Sequence, residues 1–305
     1  PLVDRPLIQY AVEEVIASGL RQVVLVTAQG KRALEDYFDR SFELEALLKE
    51  RGETRLWEEV RRLSNMVDMV YVRQKEQLGL GHAVLTAKGA VGEEPFALIL
   101  PDDVFEGPVP LIAQLLEVRR KYGGSVLAVE RVPGEEVSRY GIIKARPVAE
   151  RVYEVLDLVE KPPREEAPSD LAIIGRYILE PAVFPALEAT RPGRGGEIQL
   201  TDALRLLPRG QLFALEFQGQ RYDAGTPLSW LKATIALALR HPEWGEPLRE
   251  YLRQLLRKRD VLLALDAPPH RDEHVLSGDV HVAGLGLDQG LEAHLRVFGD
   301  AGERL

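Results

Sequence analysis

The sequence predicts an α/β protein built on a doubly wound, mostly parallel sheet. The first observation is that helical and apolar extended segments alternate over the first half of the chain. The second is that the extended segments are almost continuously apolar, which is typical of strands covered by helices on both faces. The third is the length of 305 residues, which is enough for one large α/β domain with a sizeable core.

The first helix is predicted close to the start of the chain. Its apolar residues follow helical spacing through "PLIQYAVEEVIASGL" (6–20), and Gly19 ends it. The next segment, "QVVLVTA" (22–28), predicts a buried parallel strand. A helix that leads into a parallel strand normally follows an earlier strand of the same sheet. We therefore expect a fragment that lacks a first, central strand, and we expect the neighbours of that strand to be unpaired.

The alternation continues along the chain. A strand is predicted for "MVDMVYVRQ" (66–74), a helix for "GHAVLTAKGAV" (81–91) and a strand for "PFALILPDDVF" (95–105). A further helix (110–123) and a further strand (124–132) follow. Ligands of doubly wound sheets bind beyond the carboxyl ends of the strands. The polar and glycine residues at these ends are therefore the first candidates for a site.

From about residue 137 the extended segments become shorter. They predict a smaller, mixed β region packed over the same strand ends, followed by C-terminal helices. We expect one domain over residues 1–256, incomplete at its N-terminus, and an unassigned tail over 257–305 that is loosely ordered or foreign to the natural gene. The tail carries His270, His274, His281 and His294, but their spacing fits no metal-ligand pattern.

Composition restricts the class of partner. The net charge of −9 argues against a nucleic-acid polymer, although it leaves room for a small anionic substrate in a local basic pocket. No apolar stretch approaches the roughly 18 residues of a membrane span, and no signal peptide is visible. These features favour a cytoplasmic protein that does not bind membranes. The absence of cysteine excludes disulfides, thiolate chemistry and zinc sites based on cysteine.

Two acidic positions follow predicted strands far apart in the chain. Asp102 lies at the end of an apolar strand, and Asp223 lies between a strand and a glycine turn. Mg²⁺ usually takes one or two protein carboxylates and completes its shell with water and substrate phosphates. Both acids are therefore candidate metal ligands. The structural alternative is that Asp102 or Asp103 caps the turn that follows.

The segment "LVEKPP" (158–163) places a carboxylate and an ammonium group at another strand end. Lys161 is a compact charge suited to a phosphate, and Glu160 can accept hydrogen bonds from sugar hydroxyls. The alternative is an exposed pair of charges before a proline turn.

A pair of closely spaced glycines stands in "RQKEQLGLGHAVL" (73–85). Gly79 and Gly81 mark either a close approach of another group to the backbone or a tight turn from strand to helix. The side-chain amide of Gln74 precedes them and offers both a donor and an acceptor. For His82 we expect a structural role in the first helical turn.

These segments together resemble a known family, the bacterial UTP–glucose-1-phosphate uridylyltransferases of the nucleotidyltransferase superfamily. The resemblance runs from Pro1 to about Leu256. It is carried by "VRQKEQLGLGHAVL", "LILPDD", "RYGII", "VEKP", "GGEIQLTDAL" and "YDAGT", among other motifs in the same order. It implies a Rossmann-like nucleotidyltransferase fold, a homo-oligomer, and transfer of a uridylyl group from UTP to glucose 1-phosphate with release of pyrophosphate.

The resemblance also implies roles for the nucleotide and metal residues. Gln74 would read the uracil edge, and the base would lie against the backbone of Gly79. Asp102 and Asp223 would hold Mg²⁺.

On the sugar side, the resemblance implies that Lys161 binds the phosphate of glucose 1-phosphate as the catalytic lysine. Glu160 and the main chain at Gly141 and Gly175 would hold the glucose hydroxyls. In "GGEIQLTDAL", Glu197 is a candidate for ordering the sugar loop, and Thr201 or Asp202 for capping a helix.

The sequence departs from the family pattern before "PLVDRPLIQY" (1–10), where the glycine-rich loop that holds the triphosphate has no counterpart. Three hypotheses remain: an enzyme inactive through truncation, a non-catalytic sugar-nucleotide-binding or regulatory protein, and a related transferase that uses dTTP.

Overall fold

The computed structural model describes residues 1–257 and the backbone of residues 294–298. The strands are β1 (Gln22–Thr27), β2 (Asp68–Arg73), β3 (Phe96–Ile99), β4 (Asp103–Glu106), β5 (Ser125–Arg131), β6 (Gly141–Ala149), β7 (Val152–Glu160), β8 (Leu171–Leu179), β9 (Leu212–Glu216), β10 (Gln220–Asp223) and β11 (His294–Phe298). The helices are α1 (Leu7–Ala17), α2 (Arg32–Phe38), α3 (Phe42–Glu50), α4 (Thr54–Ser64), α5 (Gly79–Thr86), α6 (Lys88–Val91), α7 (Leu111–Tyr122), α8 (Val183–Ala189), α9 (Leu200–Arg205), α10 (Pro227–Ala238) and α11 (Gly245–Arg257). Short 3₁₀ turns cover Val137–Arg139, Arg164–Glu166 and Arg194–Gly196. Most of the predicted tail, including His270, His274 and His281, lies outside the described residues.

The described chain divides into two compact units. One comprises residues 5–223 together with β11, and the other comprises residues 1–4 and 224–257. In the second unit, α10 begins with a capping box in which Thr226 and Ser229 bond each other's backbone. Leu2, Ala233 and Leu237 are the buried apolar residues of this unit.

The sheet of the first unit has the strand order β2-β1-β11-β3-β8-β5-β9-β7-β6. Six of these described strands run in one direction, and β11, β8 and β7 run against them. Directly parallel neighbours occur at β1–β2 and β5–β9. A separate small sheet pairs β10 with β4 in the antiparallel direction.

Both faces of this sheet are covered, as the α/β prediction requires. In β1, Val24 and Val26 pack into a core with the apolar residues of α5, α8 and α9. Val23 and Leu25 point to the opposite face and pack with α1 and α7. Successive side chains of a strand point to opposite faces, so a continuous apolar run serves two cores at once. The predicted α/β class with helices on both faces is confirmed.

Three elements differ from the sequence prediction. The predicted strand 95–105 is two strands in different sheets, because Pro101 has no N–H to donate to a ladder and the chain turns there. The predicted helix 81–91 begins two residues earlier and continues as the separate helices α5 and α6. The prediction of shorter strands after residue 137 is wrong for β6, β7 and β8, which have 9 residues each, and β6 to β9 extend the main sheet instead of forming a sheet of their own.

The strand β11 lies between β1 and β3 and pairs with both in the antiparallel direction. The expectation that the neighbours of a central strand are left unpaired is therefore wrong for this structure. No helix within residues 1–257 is both long enough and apolar enough to span a membrane.

Candidate functional site

The predicted site residues all lie in the unit formed by residues 5–223 and β11. They are Gln74, Gly79, Asp102, Gly141, Glu160, Lys161, Gly175 and Asp223. Contacts between side chains and backbone groups connect Asp102, Gly141, Glu160, Lys161, Gly175 and Asp223, and a separate set of contacts holds Gln74 and Gly79. After the roles predicted from the sequence, the surroundings of Gln74 and Gly79 are called the base side, those of Glu160 and Lys161 the sugar side, and those of Asp102 and Asp223 the acidic side.

Gln74 anchors the base side, directly after β2. Its backbone N–H donates to the carbonyl oxygen of Thr27 at 2.8 Å, which fixes the end of β2 to the end of β1. The side chain is buried, with 7% of its surface exposed. Its Nε2 lies 3.4 Å from the carbonyl oxygen of Gly79 and 2.9 Å from Nδ1 of His82. The amide nitrogen thus lies inside the protein between the carbonyl oxygen of Gly79 and the imidazole of His82.

The group that comes closest to the backbone at the two glycines is the segment Glu197–Ile198. The N–H of Gly81 donates to the carbonyl oxygen of Ile198, and the N–H of Ile198 donates to that of Leu78, both at 2.8 Å. A Cβ atom at Gly79 would lie 2.8 Å from Cβ of Glu197, and one at Gly81 would lie 2.6 Å from the carbonyl oxygen of Ile198. Gly79 also has a φ of +88°, which favours glycine. Both glycines are therefore required by packing, and the contact of Gly79 with a base stays a prediction.

On the acidic side, the β10–β4 ladder brings the distant carboxylates to one place. The Cα atoms of Asp223 and Asp103 are register partners, and Asp102 is the exposed residue immediately before β4. No group of three or more potential metal-ligating side chains occurs in the described part of the chain. Two carboxylates from adjoining segments, Asp102 and Asp223, fit Mg²⁺, whose remaining ligands are water and phosphate oxygens. They do not form a closed protein cage.

Asp103 has a different role from its neighbour. It lies in β4, it is only 5% exposed, and it accepts a hydrogen bond from Nε of Arg221 at 2.8 Å. Burial raises the pKa of Asp103 to about 6, although Arg221 acts in the opposite direction. Arg221 also bonds Glu130, and its guanidinium lies 5.4 Å from the ring centre of Tyr140. The alternative that Asp103 caps a turn is wrong, since it is half of a buried ion pair.

A second buried arginine holds the turn that carries Asp102. Arg176 in β8 is 1% exposed, and its Nε donates to Oε2 of Glu14 at 3.0 Å. Its guanidinium also donates to the carbonyl oxygens of Leu100, Gly175 and Asp103 at 2.6, 3.0 and 2.9 Å. These bonds lie on both sides of Asp102, so Arg176 fixes the backbone from which that carboxylate projects.

Gly175 packs against the same turn. Its carbonyl oxygen accepts from the N–H of Leu100 at 2.9 Å, and a Cβ atom at position 175 would lie 2.7 Å from Cβ of Leu100. The glycine therefore allows the close approach of β8 to the end of β3.

The sugar side is centred on the end of β7. Glu160 is the register partner of Gly141, and its Oε2 accepts a hydrogen bond from the hydroxyl of Thr201 at 2.6 Å. The N–H of Lys161 donates to the carbonyl oxygen of Tyr140 at 3.0 Å, and its Nζ lies 3.8 Å from Oε1 of Glu160. Lys161 has a φ of +44°, a conformation that costs free energy for a residue with a side chain. Glu160 is therefore a positioned carboxylate, beside a 60% exposed ammonium group.

Arg139 connects the sugar side to the acidic side. It precedes Tyr140 and Gly141, and its Nη2 lies 3.7 Å from Oδ2 of Asp223. The sequence prediction assigns no role to Arg139, although this arginine at the start of "RYGII" is a visible signal of a cation near the site.

Thr201 was also missed as a site residue. The expectation that it caps α9 is wrong, because Gln199 is the N-cap of that helix and the Thr201 hydroxyl bonds Glu160 instead. Its short motif gave no sign of a partner 41 residues away.

Comparisons with known proteins identify relatives of the chain. The nucleotidyl transferase family model matches residues 1–239. The chain is 45% identical over 262 residues to a UTP–glucose-1-phosphate uridylyltransferase of Bacillus subtilis, covering 86% of this chain and 90% of that protein. It is similar to a UDP-glucose pyrophosphorylase solved with UDP-glucose, with a TM-score of 0.71 and 44% identity over 79% of this chain and 89% of that one. It is also similar to the UTP-bound enzyme from Acinetobacter baumannii, with a TM-score of 0.76 and 37% identity over 83% and 90% of the two chains.

Proposed function

The chain belongs to the nucleotidyl transferase family, and we propose that it acts as a UTP–glucose-1-phosphate uridylyltransferase. The relatives that carry this name match it over most of their length and of its own. The structural observation that carries the proposal is the pairing of β10 with β4, which puts Asp223 beside the turn that bears Asp102. The family match supports a nucleotidyltransferase domain over residues 1–239, and the extension of this domain to about residue 256 stays a prediction.

The proposed substrate positions follow the base side and the sugar side. UTP lies with its base at Gln74 and Gly79, where the amide and the backbone are held in place. Glucose 1-phosphate lies with its hydroxyls at Glu160 and the main chain of Gly141 and Gly175, and its phosphate at Lys161. The hydrogen bond from Thr201 supports the Glu160 assignment, because it leaves Oε1 to accept from a sugar hydroxyl.

The proposed reaction is an in-line displacement at phosphorus. A phosphate oxygen of glucose 1-phosphate forms a bond to the α-phosphorus of UTP, the bond from that phosphorus to the bridging oxygen breaks, and pyrophosphate leaves with the electron pair. This chemistry depends on positioning and on neutralising charge, and no strong base is needed. Lys161 neutralises and orients the attacking phosphate.

Asp102 and Asp223 would hold Mg²⁺ on the acidic side. Two carboxylates at one strand end are the usual protein contribution to such an ion. The ion would supply neutralisation of the phosphate charges. The proposed role of the Arg139 side chain is to orient the carboxylate of Asp223, from which its Nη2 lies 3.7 Å away.

Pyrophosphate release from UTP and glucose 1-phosphate, with and without Mg²⁺, tests the proposed function. UDP-glucose should form in equal amount. Lys161→Met should lose most of this activity, whereas Lys144→Met, an exposed lysine on β6, should keep it. Equal loss in both variants, or none in either, would remove Lys161 from the site.

The same assay separates the alternatives. Faster turnover with dTTP than with UTP would support a thymidylyltransferase. Binding of UDP-glucose without turnover would support a non-catalytic protein. The homo-oligomer stays a prediction, which sedimentation velocity would test.

A further inference from the structure

The side chain of Gln74 is held in one orientation by its surroundings. The carbonyl oxygen of Gly79 can only accept, so the amide group must turn its nitrogen toward it. The same nitrogen lies 2.9 Å from Nδ1 of His82. This contact is a hydrogen bond only if Nδ1 accepts, which requires the imidazole proton on Nε2.

Both N–H bonds of the Gln74 amide are thereby used within the protein. Within the described part of the chain, Oε1 accepts no hydrogen bond. The amide therefore offers an incoming base an acceptor and no donor. Of the two partners that hold it, the bond to Gly79 is long at 3.4 Å, so His82 is the stronger one.

We propose that His82 is a positioning residue that makes Gln74 select a base edge presenting an N–H group. This rests on the proposed contact of Gln74 with the base. Uracil presents N3–H, which donates to Oε1 of Gln74. Cytosine presents an unprotonated N3, which is an acceptor and would face a second acceptor, Oε1. The buried mismatch disfavours cytosine, because a site built for one hydrogen-bond polarity rejects the other.

His82 is well placed for this role. It lies in the first turn of α5, between the buried Gly81 and Ala83. The N–H of Gly81 donates to the carbonyl oxygen of Ile198 at 2.8 Å, and the side chains of Ala83 and Val84 are fully buried in the core. The ring therefore projects from a helical turn that is fixed on both sides of it.

The experiment measures the dissociation constants of UTP and CTP by calorimetry for the full chain and four variants. His82→Leu and His82→Ala remove the acceptor, His82→Asn can replace it, and Thr86→Ala is the control on the same helix. Without the acceptor the amide can turn over, so the preference for UTP should fall by about tenfold in the Leu and Ala variants. It should change by less than about threefold in the Asn and Thr86 variants.

Thermal melting of each variant distinguishes a positioning role of His82 from a merely structural one. A structural role would lower the melting temperature without changing the preference for UTP over CTP. If His82→Leu does not fold, His82→Ala decides. An unchanged preference in the variants that fold would overturn the role of His82 and leave the proposed reaction standing. A wild-type chain that binds UTP and CTP alike would overturn both this inference and the uridine preference, whereas discrimination without pyrophosphate release would overturn only the reaction.

Discussion

The base side and the acidic side of the site are stabilised by different interactions. The base side is held by neutral hydrogen bonds and by glycines that touch Glu197 and Ile198. The acidic side is held by two arginines, the buried Arg176 and the mostly buried Arg221, whose charges are balanced by carboxylates and carbonyl oxygens. Loss of one neutral bond costs about 1 kcal/mol, whereas loss of one partner from a buried ion pair costs about 3–5 kcal/mol.

This difference suits what each side must bind. A planar base needs a surface of fixed shape and hydrogen-bond polarity, which backbone and amide groups provide. A metal ion and phosphates need carboxylates that are fixed in position close to cations. The arginines provide a rigid framework that holds Asp102 and Asp223, so that the carboxylate of Asp223 stays 3.7 Å from Arg139 and does not close onto it. We therefore expect substitutions on the acidic side to have the larger effects.

The largest effect is expected for Arg221→Leu. It leaves the buried Asp103 and the partly exposed Glu130 without their cation, and the free energy of unfolding should fall by about 3–5 kcal/mol. Arg205→Leu is the control, because its ion pair with Asp157 is exposed and should contribute less than about 1 kcal/mol. Urea denaturation measures both. Similar losses in the two variants would remove the distinction between the two sides.

The next effect is on turnover. Asp102→Asn and Asp223→Asn keep the shape of each side chain but remove a charge, and each should slow Mg²⁺-dependent turnover by about 10²–10³-fold. Asp157→Asn, an exposed carboxylate, should leave the rate unchanged. Initial rates over a range of Mg²⁺ concentrations provide the measurement. A near-normal rate in either variant would show that its carboxylate is not a metal ligand.

The strand ends that carry these acids could be predicted from the sequence, because apolar runs and the residues that end them are local signals. The pairing of β10 with β4 could not be predicted from the sequence, because it joins segments that are far apart in the chain. Arg221 and Asp103, which bond across this pairing, are 118 residues apart. Without that pairing, Asp103 looks like a second copy of Asp102. Pro101 is a local signal that β3 ends, but the apolar residues on both sides of it favour one continuous strand.

The glycines illustrate the same limit on the base side. The spacing of the glycines predicts that another group approaches the backbone. The sequence does not show that this group is Ile198, in addition to the proposed base. The hydrogen bond between Gln74 and His82 is equally invisible in the sequence, because it depends on where α5 begins relative to the end of β2.

Gly81→Ala should have an intermediate effect. The new methyl group would lie 2.6 Å from the carbonyl oxygen of Ile198, so the two segments must separate, at a cost of about 1–3 kcal/mol in stability. Gly89→Ala in α6 is the matched control, since nothing lies within 4 Å and alanine favours a helix by about 0.5–1 kcal/mol. Thermal melting compares the two. An unchanged melting temperature for Gly81→Ala would mean that the base side is packed less tightly than its contacts indicate.

The smallest effect is expected where the base side meets α2. The hydroxyl of Tyr71 donates to the carbonyl oxygen of Glu35 at 3.1 Å, and burial, followed by the charge of Asp39, raises the pKa of Tyr71 to about 12. The folded protein thus holds this proton more tightly than the unfolded chain, in which tyrosine has a pKa of about 10. The contribution to stability is complete below pH 10 and is lost as the pH rises from 10 to 12.

The contribution should be under about 1 kcal/mol, because water screens a half-exposed phenol. Urea denaturation of wild type and Tyr71→Phe at pH 9 and pH 11 isolates it, since all other alkaline titrations cancel in the difference. The stability gap between the two proteins should narrow at pH 11. A stability gap that does not change with pH would mean that α2 does not hold the phenol of Tyr71. The helix would then stabilise the base side less than the hydrogen bond between Tyr71 and Glu35 indicates.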